Sequence, residues 1–238
     1  MEINKNHGQD DHATTELQIR QGAYLPHWTR DGSTYSVTFR LVDSLPKQVL
    51  EAWLFERQDI VKTAQQLNRP LSENAEKRLR QLYSEKVEKY LDSGKGACWM
   101  KDDRIAKIVV DALKYFHQTR YDIVVWCIMP NHVHVILRPL NNYGLPDILH
   151  SWKSFTAKKA NKSLRRTGEF WQAEYYDHLI RNVTDFIHCV NYVLNNPENA
   201  GMKGWKWVSS GTGILPVNHG QDDHATTQNH GQDDHATL

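Results

Sequence analysis

The run YDIVVWCIMPNHVHVILRPL, from Tyr121 to Leu140, constrains the fold more than any other part of the chain. It is almost continuously apolar, interrupted once at Met-Pro-Asn and closed by Arg-Pro-Leu. A strand buried on both faces loses the polar–apolar alternation of a half-exposed one, so the run predicts two central strands joined by a tight turn. An earlier segment, STYSVTFRLVDSLP (Ser33 to Pro46), keeps the alternation, with Tyr35, Val37, Phe39 and Leu41 on one face. It predicts the first strand.

Between these strands the apolar spacing is helical. Val49, Leu50, Trp53 and Leu54 follow Pro46, and Arg69 to Leu91 reads as a charged amphipathic helix entered through a Ser-x-x-Ala cap. Ile105, Ile108, Val109, Ala112, Leu113 and Phe116 then recur at three- and four-residue intervals, predicting a helix over about 103–117 that packs one face on a sheet. After the central strands come a basic helix over about 146–164, an aromatic strand within GEFWQAEYYDHLIR, and a last helix, NVTDFIHCVNYVLNNPENAG. That helix is expected to have Thr184 or Asp185 in its cap region and to end at Pro197 and Gly201. The order fits an α+β fold: a ferredoxin-like antiparallel sheet with helices on one face and a helical insertion after the first strand, over about 63–96.

The ends read differently. Asn6 to Thr15 is NHGQDDHATT, the phrase returns at Asn218 to Thr227, and a further copy begins at Asn229. Such polar stretches have little to bury against the entropy of ordering, so residues 1–22 and 209–238 are expected to be disordered, leaving one domain over 23–208. The formal charge of +1 conceals acidic ends and a basic middle. Cys98, Cys127 and Cys189 show no C-x-x-C spacing, which suits a reduced, cytoplasmic chain. No stretch approaches the roughly 20 apolar residues of a membrane span.

The chemistry is expected at NHVHV. In a strand, His132 and His134 share a face while Val133 points the other way, so two imidazoles can converge on one ion, or simply line an exposed face. Paired with oxygen donors, imidazole suits Mn2+ or Zn2+, and with water and phosphate oxygens also Mg2+. On the last helix Tyr192 and Asn196 are four residues apart and face the same side.

Taken in order, MPNHVHVIL, SWKSFTAKKANK, FWQAEYYDHLIR and VNYVLNNPENAGM resemble the successive motifs of the REP-associated tyrosine transposases, a group of HUH single-strand nucleases. The resemblance runs from about Leu25 to Val208. It implies a domain that cleaves and rejoins single-stranded DNA beside palindromic hairpins, with a divalent ion, Mg2+ or Mn2+, as cofactor. It assigns His132 and His134 to the metal, Tyr192 to the nucleophile and Asn196 to the residue that completes the metal site. Single-stranded or hairpin DNA is the implied partner of a monomer or homodimer, with no membrane involved.

Phosphate neutralisation would fall to Lys153, Lys158, Lys159, Lys162, Arg165 and Arg166, with His178 and Arg181 near the site or the DNA. Trp152, Phe155, Trp171, Tyr175 and Tyr176 are candidates for stacking on unpaired bases, or for the core. The alternative is a catalytically silent hairpin-binding protein of the same fold. A small-substrate metallohydrolase would leave the basic helix and Tyr192 unexplained. The end repeats themselves can be read as translated palindromes, because Ile214 to Pro216 and Gly220 to Asp222 admit codons that are reverse complements.

Overall fold

A computed structural model of the chain describes residues 18–21, 26–30, 32–67, 69 and 71–210. The end repeats lie outside the described residues. A small antiparallel hairpin, β1 (Gln18–Gln21) and β2 (Pro26–Thr29), comes first, so the expectation of disorder through residue 22 does not hold at 18–21.

The central run folds as read. β4 (Tyr121–Ile128) and β5 (His132–Pro139) form a hairpin, and β5 is the middle strand of a five-stranded sheet. With β3 (Tyr35–Arg40), β6 (Tyr176–Leu179) and β7 (Val208–Ser210), the strand order is β6-β3-β5-β4-β7, and every neighbouring pair is antiparallel. Without β7, an edge strand that the sequence did not announce, this is the ferredoxin-like arrangement. The aromatic segment before β6 supplies a shorter strand than expected: Phe170 and Trp171 are core side chains, and the backbone around them pairs with the end of β3 only through an isolated bridge from Trp171 to Leu41.

Side-chain period sorts the sheet into two faces. Tyr35, Val37, Phe39, Val133, Val135 and Leu137 form one core with α4 (Asp103–Tyr115) and α5 (Leu145–Ser163). A register shift between Ile123 and Val125 changes the phase of β4. Ile123, Trp126 and Ile128 consequently share that core, while Val125 and Cys127 join Ile136 on the opposite face. There they pack on α6 (Val183–Asn199). The two crossover helices thus lie together on one face, as expected, and α6 covers the other. Asn182, and not Thr184 or Asp185, caps α6 by accepting from the Asp185 amide at 2.8 Å. Pro197 lies inside the last turn, where its carbonyl accepts from the Met202 amide.

The helical region between β3 and α4 begins earlier than residue 63. It comprises α1 (Lys47–Gln66), α2 (Glu73–Tyr83), a π-helical turn at Ser84–Glu88 and α3 (Lys89–Asp92). Ser72 accepts from the Ala75 amide at 3.2 Å, as the Ser-x-x-Ala cap predicts. Leu45, Trp53, Leu82, Tyr83, Val87 and Leu91 give the region its own core. Two contacts dock it on the histidine side of the sheet. Tyr83 stacks on Tyr176 with ring centroids 3.9 Å apart, and the Asn131 side-chain amide donates to the carbonyls of Leu91 and Lys95.

Candidate metal and tyrosine site

Antiparallel register brings Thr38 opposite His134 and Arg40 opposite His132. The two imidazoles are 0% and 2% exposed, and their Nε2 atoms converge to 2.9 Å. Each Nδ1 is held from behind: that of His132 by the Asn131 Oδ1 at 2.7 Å, that of His134 by the Thr38 hydroxyl at 2.8 Å. An amide oxygen can only accept, so Nδ1 of His132 carries the hydrogen and its Nε2 presents a lone pair. Such outer partners set the tautomer and orientation of metal-binding imidazoles.

Both rings are kept neutral. Desolvation, then His134 and Arg40, push the His132 imidazolium well below its usual range, and desolvation lowers His134 to about 3. Unfolding returns His134 to its ordinary value of 6.5, so between about pH 6.5 and 3 the unfolded chain binds a proton that the folded site refuses. His132 acts in the same direction. Asp92 acts in the opposite one: burial, then Glu88, raise its carboxyl from 3.8 to about 6, so the folded protein takes up that proton first as the pH falls. Two histidines outweigh one aspartate. The metal-free protein is expected to lose stability from pH 6.5 toward pH 4, by up to about 1.4 kcal/mol per pH unit net. Denaturation midpoints in EDTA check this; a midpoint that holds or rises on acidification, or a slope unchanged in His134→Gln, contradicts it.

Tyr192 is half-buried on α6, its ring centroid 5.2 Å from that of His134 and nearly perpendicular to it. Its oxygen accepts from the Asn196 amide at 3.2 Å, as the four-residue spacing predicts. Burial, followed by the neighbouring Glu88 carboxylate, holds the phenol far above its ordinary range. Asn196 is 1% exposed, and its Oδ1 is buried without a hydrogen-bond partner. Two converging imidazole nitrogens and an orphaned amide oxygen make a donor set that a divalent cation would satisfy. The residues present therefore fit the implied metal.

The other sequence candidates separate. Lys158, Lys159, Lys162 and Arg165 are exposed, but α5 lies across the sheet from the histidines. Lys153 is spent within the protein: Nζ donates to the Ala173 carbonyl at 2.6 Å, and desolvation lowers it to about 8. Arg166 lies over the Trp99 ring at 4.0 Å and bonds Asn161 and the Glu169 carbonyl. Trp152, Trp171 and Tyr175 are buried, and Tyr176 is stacked on Tyr83, so these four serve packing; Phe155 alone of the five is exposed. His178 faces α6 and pairs with Asp185 at 2.8 Å, while Arg181 is exposed at the start of that helix. His178, Asp185 and Cys189 also form a cluster whose potential ligand atoms lie within 4.8 Å of one another.

Sequence reasoning missed Thr38, Arg40, Asn131, Glu88 and Asp92. Asn131 and the alternating polar positions of β3 carried a usable signal, since Thr38 and Arg40 fall on the face opposite Val37 and Phe39. Glu88 and Asp92 carried none beyond ordinary helix polarity.

Residues 98–196 match the family described as "Transposase IS200 like". The REP-associated tyrosine transposase of Escherichia coli (strain K12) is 29% identical over 85 residues, covering 34% of this chain and 47% of that protein. A Haemophilus influenzae protein provisionally given the same name is 28% identical over 104 residues, 37% of this chain and 58% of its own. The chain thus spans about half the length of the curated relatives it matches. A solved REP-associated tyrosine transposase bound to a REP hairpin superposes over 79% of this chain and 80% of its own, with 15% identity and a TM-score of 0.42. Among the described residues, no helix is long and apolar enough to cross a membrane.

Proposed function

For a chain whose residues 98–196 match the IS200-like transposase family and which is similar to REP-associated tyrosine transposases, we propose single-strand cleavage and strand transfer at palindromic hairpin DNA through Tyr192. The observation that carries this reading is the meeting of the two His Nε2 atoms, 2.9 Å apart, with Tyr192 and Asn196 on the helix that covers them. A metallohydrolase that activates water has no use for that phenol.

His132, His134 and Asn196 would hold the divalent ion, Mg2+ or Mn2+. When bound, it would polarise the scissile phosphate and offset charge gathering on the phosphate oxygens. The chain supplies the rest. Asn131 and Thr38 fix the imidazoles, Asn196 orients the phenol, and the Tyr192 oxygen attacks phosphorus. A P–O bond to tyrosine forms as the bond to the 3' oxygen breaks, the phenolic proton passes to a base, and the 3' oxygen takes a proton. The products are a 5'-phosphotyrosine and a free 3'-hydroxyl, so the bond energy is kept for rejoining. The test is to incubate 5'- and 3'-labelled hairpin oligonucleotides with Mg2+ or Mn2+. The expected product is a covalent adduct carrying the 3' fragment; binding without an adduct would leave only a hairpin-binding protein.

The exposed cations of α5 would engage phosphates away from the scissile bond. Each neutralised phosphate contributes roughly 0.7–0.9 to the logarithmic salt slope of binding. Replacing both Lys158 and Lys159 by Ala is expected to lower that slope by up to about 2, uniformly across hairpin sequences. A slope equal to the parent's would remove α5 from the DNA path.

A further inference from the structure

We propose that His178, Asp185 and Cys189 form a zinc site, separate from the histidine pair, that fastens the edge strand β6 to α6. Among the described residues, these three side chains offer one nitrogen, one carboxylate oxygen and one sulfur within 4.8 Å of one another. His178 Nε2 lies 2.8 Å and 3.1 Å from the two oxygens of Asp185, and Cys189 Sγ lies 3.9 Å from Asp185 Oδ1. With zinc bonds of roughly 2.0–2.3 Å, tetrahedral ligands stand about 3.3–3.6 Å apart, so side-chain shifts on the order of 1 Å close the three around one ion. The side chains of His178 and Asp185 are 12% and 17% exposed, which leaves water an approach to the fourth position.

The fold builds this set from two elements. Asp185 and Cys189 are four residues apart on α6 and share a face. His178 comes to that face from β6, where it stands opposite Ser36 of β3. The carboxylate is anchored from outside: Asp185 Oδ2 accepts from the Arg181 amide at 3.3 Å, and the Asp185 amide donates to the capping Asn182 side chain. Such outer contacts orient metal ligands. An ion pair alone accounts for His178 and Asp185 but not for the thiol. Cys189 packs with Val125, Ile136 and Val193, and yet its Sγ turns to the carboxylate. Chemistry then selects the ion. Thiolate and imidazole together suit zinc, whereas Mg2+ and Ca2+ take oxygen ligands. On binding, the Cys189 proton passes to solvent and His178 keeps its hydrogen on Nδ1, so thiolate and carboxylate cancel the charge of the dication. Cys189 precedes Tyr192 by three residues on α6, and the Tyr192 ring centroid is 5.2 Å from that of His134. A clip at Cys189 therefore fixes the rotation of α6 about its axis and, with it, the phenol beside the histidines.

The experiment is a titration of the full chain with Co2+ and Zn2+, without DNA and under a phosphine reductant. Cobalt bound to a thiolate absorbs strongly in the near ultraviolet, which cobalt held by the histidines of the end repeats, or by His132 and His134, does not. The parent is expected to show that band and to lose it as Zn2+ displaces Co2+. Cys189→Ala is expected to lack the band, and His178→Ala and Asp185→Asn to weaken Zn2+ binding by roughly 10- to 100-fold or more. The double variant His132→Ala, His134→Ala should keep the band. Zn2+ should also raise the melting temperature of the parent above its value in EDTA by more than it raises that of Cys189→Ala. Melting in EDTA shows which variants are folded, and the parent spectrum needs none of them. A parent without the thiolate band overturns the site and leaves an ion pair beside a core cysteine. A band that survives in folded Cys189→Ala, or Zn2+ affinity unchanged in folded His178→Ala and Asp185→Asn, overturns it as well.

Discussion

Tyr192→Phe is expected to abolish the covalent protein–DNA adduct and to lower hairpin cleavage by about 10^4-fold or more, the scale seen when a covalent nucleophile is removed. The substitution deletes one oxygen and leaves the ring, so packing beside His134 and the hairpin-binding surface should persist. The deleted oxygen also accepts from the Asn196 amide at 3.2 Å, and that donor would lose its partner. A stability loss of about 1 kcal/mol follows from the bond and is small beside the effect on chemistry. Denaturing gels with labelled hairpin report the adduct, and filter binding reports retained affinity. Cleavage equal to the parent's would eliminate tyrosine attack and leave a water-activating nuclease. Desolvation keeps Tyr192 protonated at neutral pH, so attack requires activation within the site.

Replacing His132 and His134 together by Ala should remove metal-dependent cleavage and Mn2+ binding while hairpin affinity changes little. Two imidazole donors are most of the ligand set, and the loss of both leaves oxygens that cannot hold a divalent ion from dilute solution. Stability falls as well, because Asn131 Oδ1 loses its His132 partner and the Thr38 hydroxyl loses His134. A buried group left unsatisfied costs about 1–3 kcal/mol. The melting temperature in EDTA must therefore be measured beside activity. A folded double variant that still cleaves with Mg2+ or Mn2+ would move the metal elsewhere, and the cluster of His178, Asp185 and Cys189 would be the next place to look.

Much of the sheet was legible because its rules are local. Alternation marked Tyr35, Val37 and Phe39 as one face of β3, unbroken hydrophobicity marked β4 and β5 as central, and the two-residue period put His132 and His134 side by side. The helical period did the same for Tyr192 and Asn196. What local rules missed were short or nonlocal features. Val208–Ser210 becomes a strand by adding to the exposed edge of β4 and has little pattern of its own. Lys153 on α5 and Arg166 just beyond its end looked like their basic neighbours, yet the Ala173 carbonyl and the Trp99 ring engage them within the protein. Trp152 and Trp171 carried the composition of base-stacking residues and are buried, Trp152 bonded to the Tyr121 hydroxyl and Trp171 to Thr156.

Residue order and side-chain period sufficed for the ferredoxin-like sheet, its helices and the pairing of the two histidines, since each depends on neighbours a few positions apart. The layering depended on tertiary packing: α6 covers the histidine face while the basic α5 lies beyond the sheet. So did the docking of the insertion, which brings Asp92 to 3.9 Å from His132, a residue far along the sequence. Periodicity says which way a side chain points from its own element. It does not say which other element will lie opposite, because that is decided by which apolar faces are left to be buried once the sheet has formed.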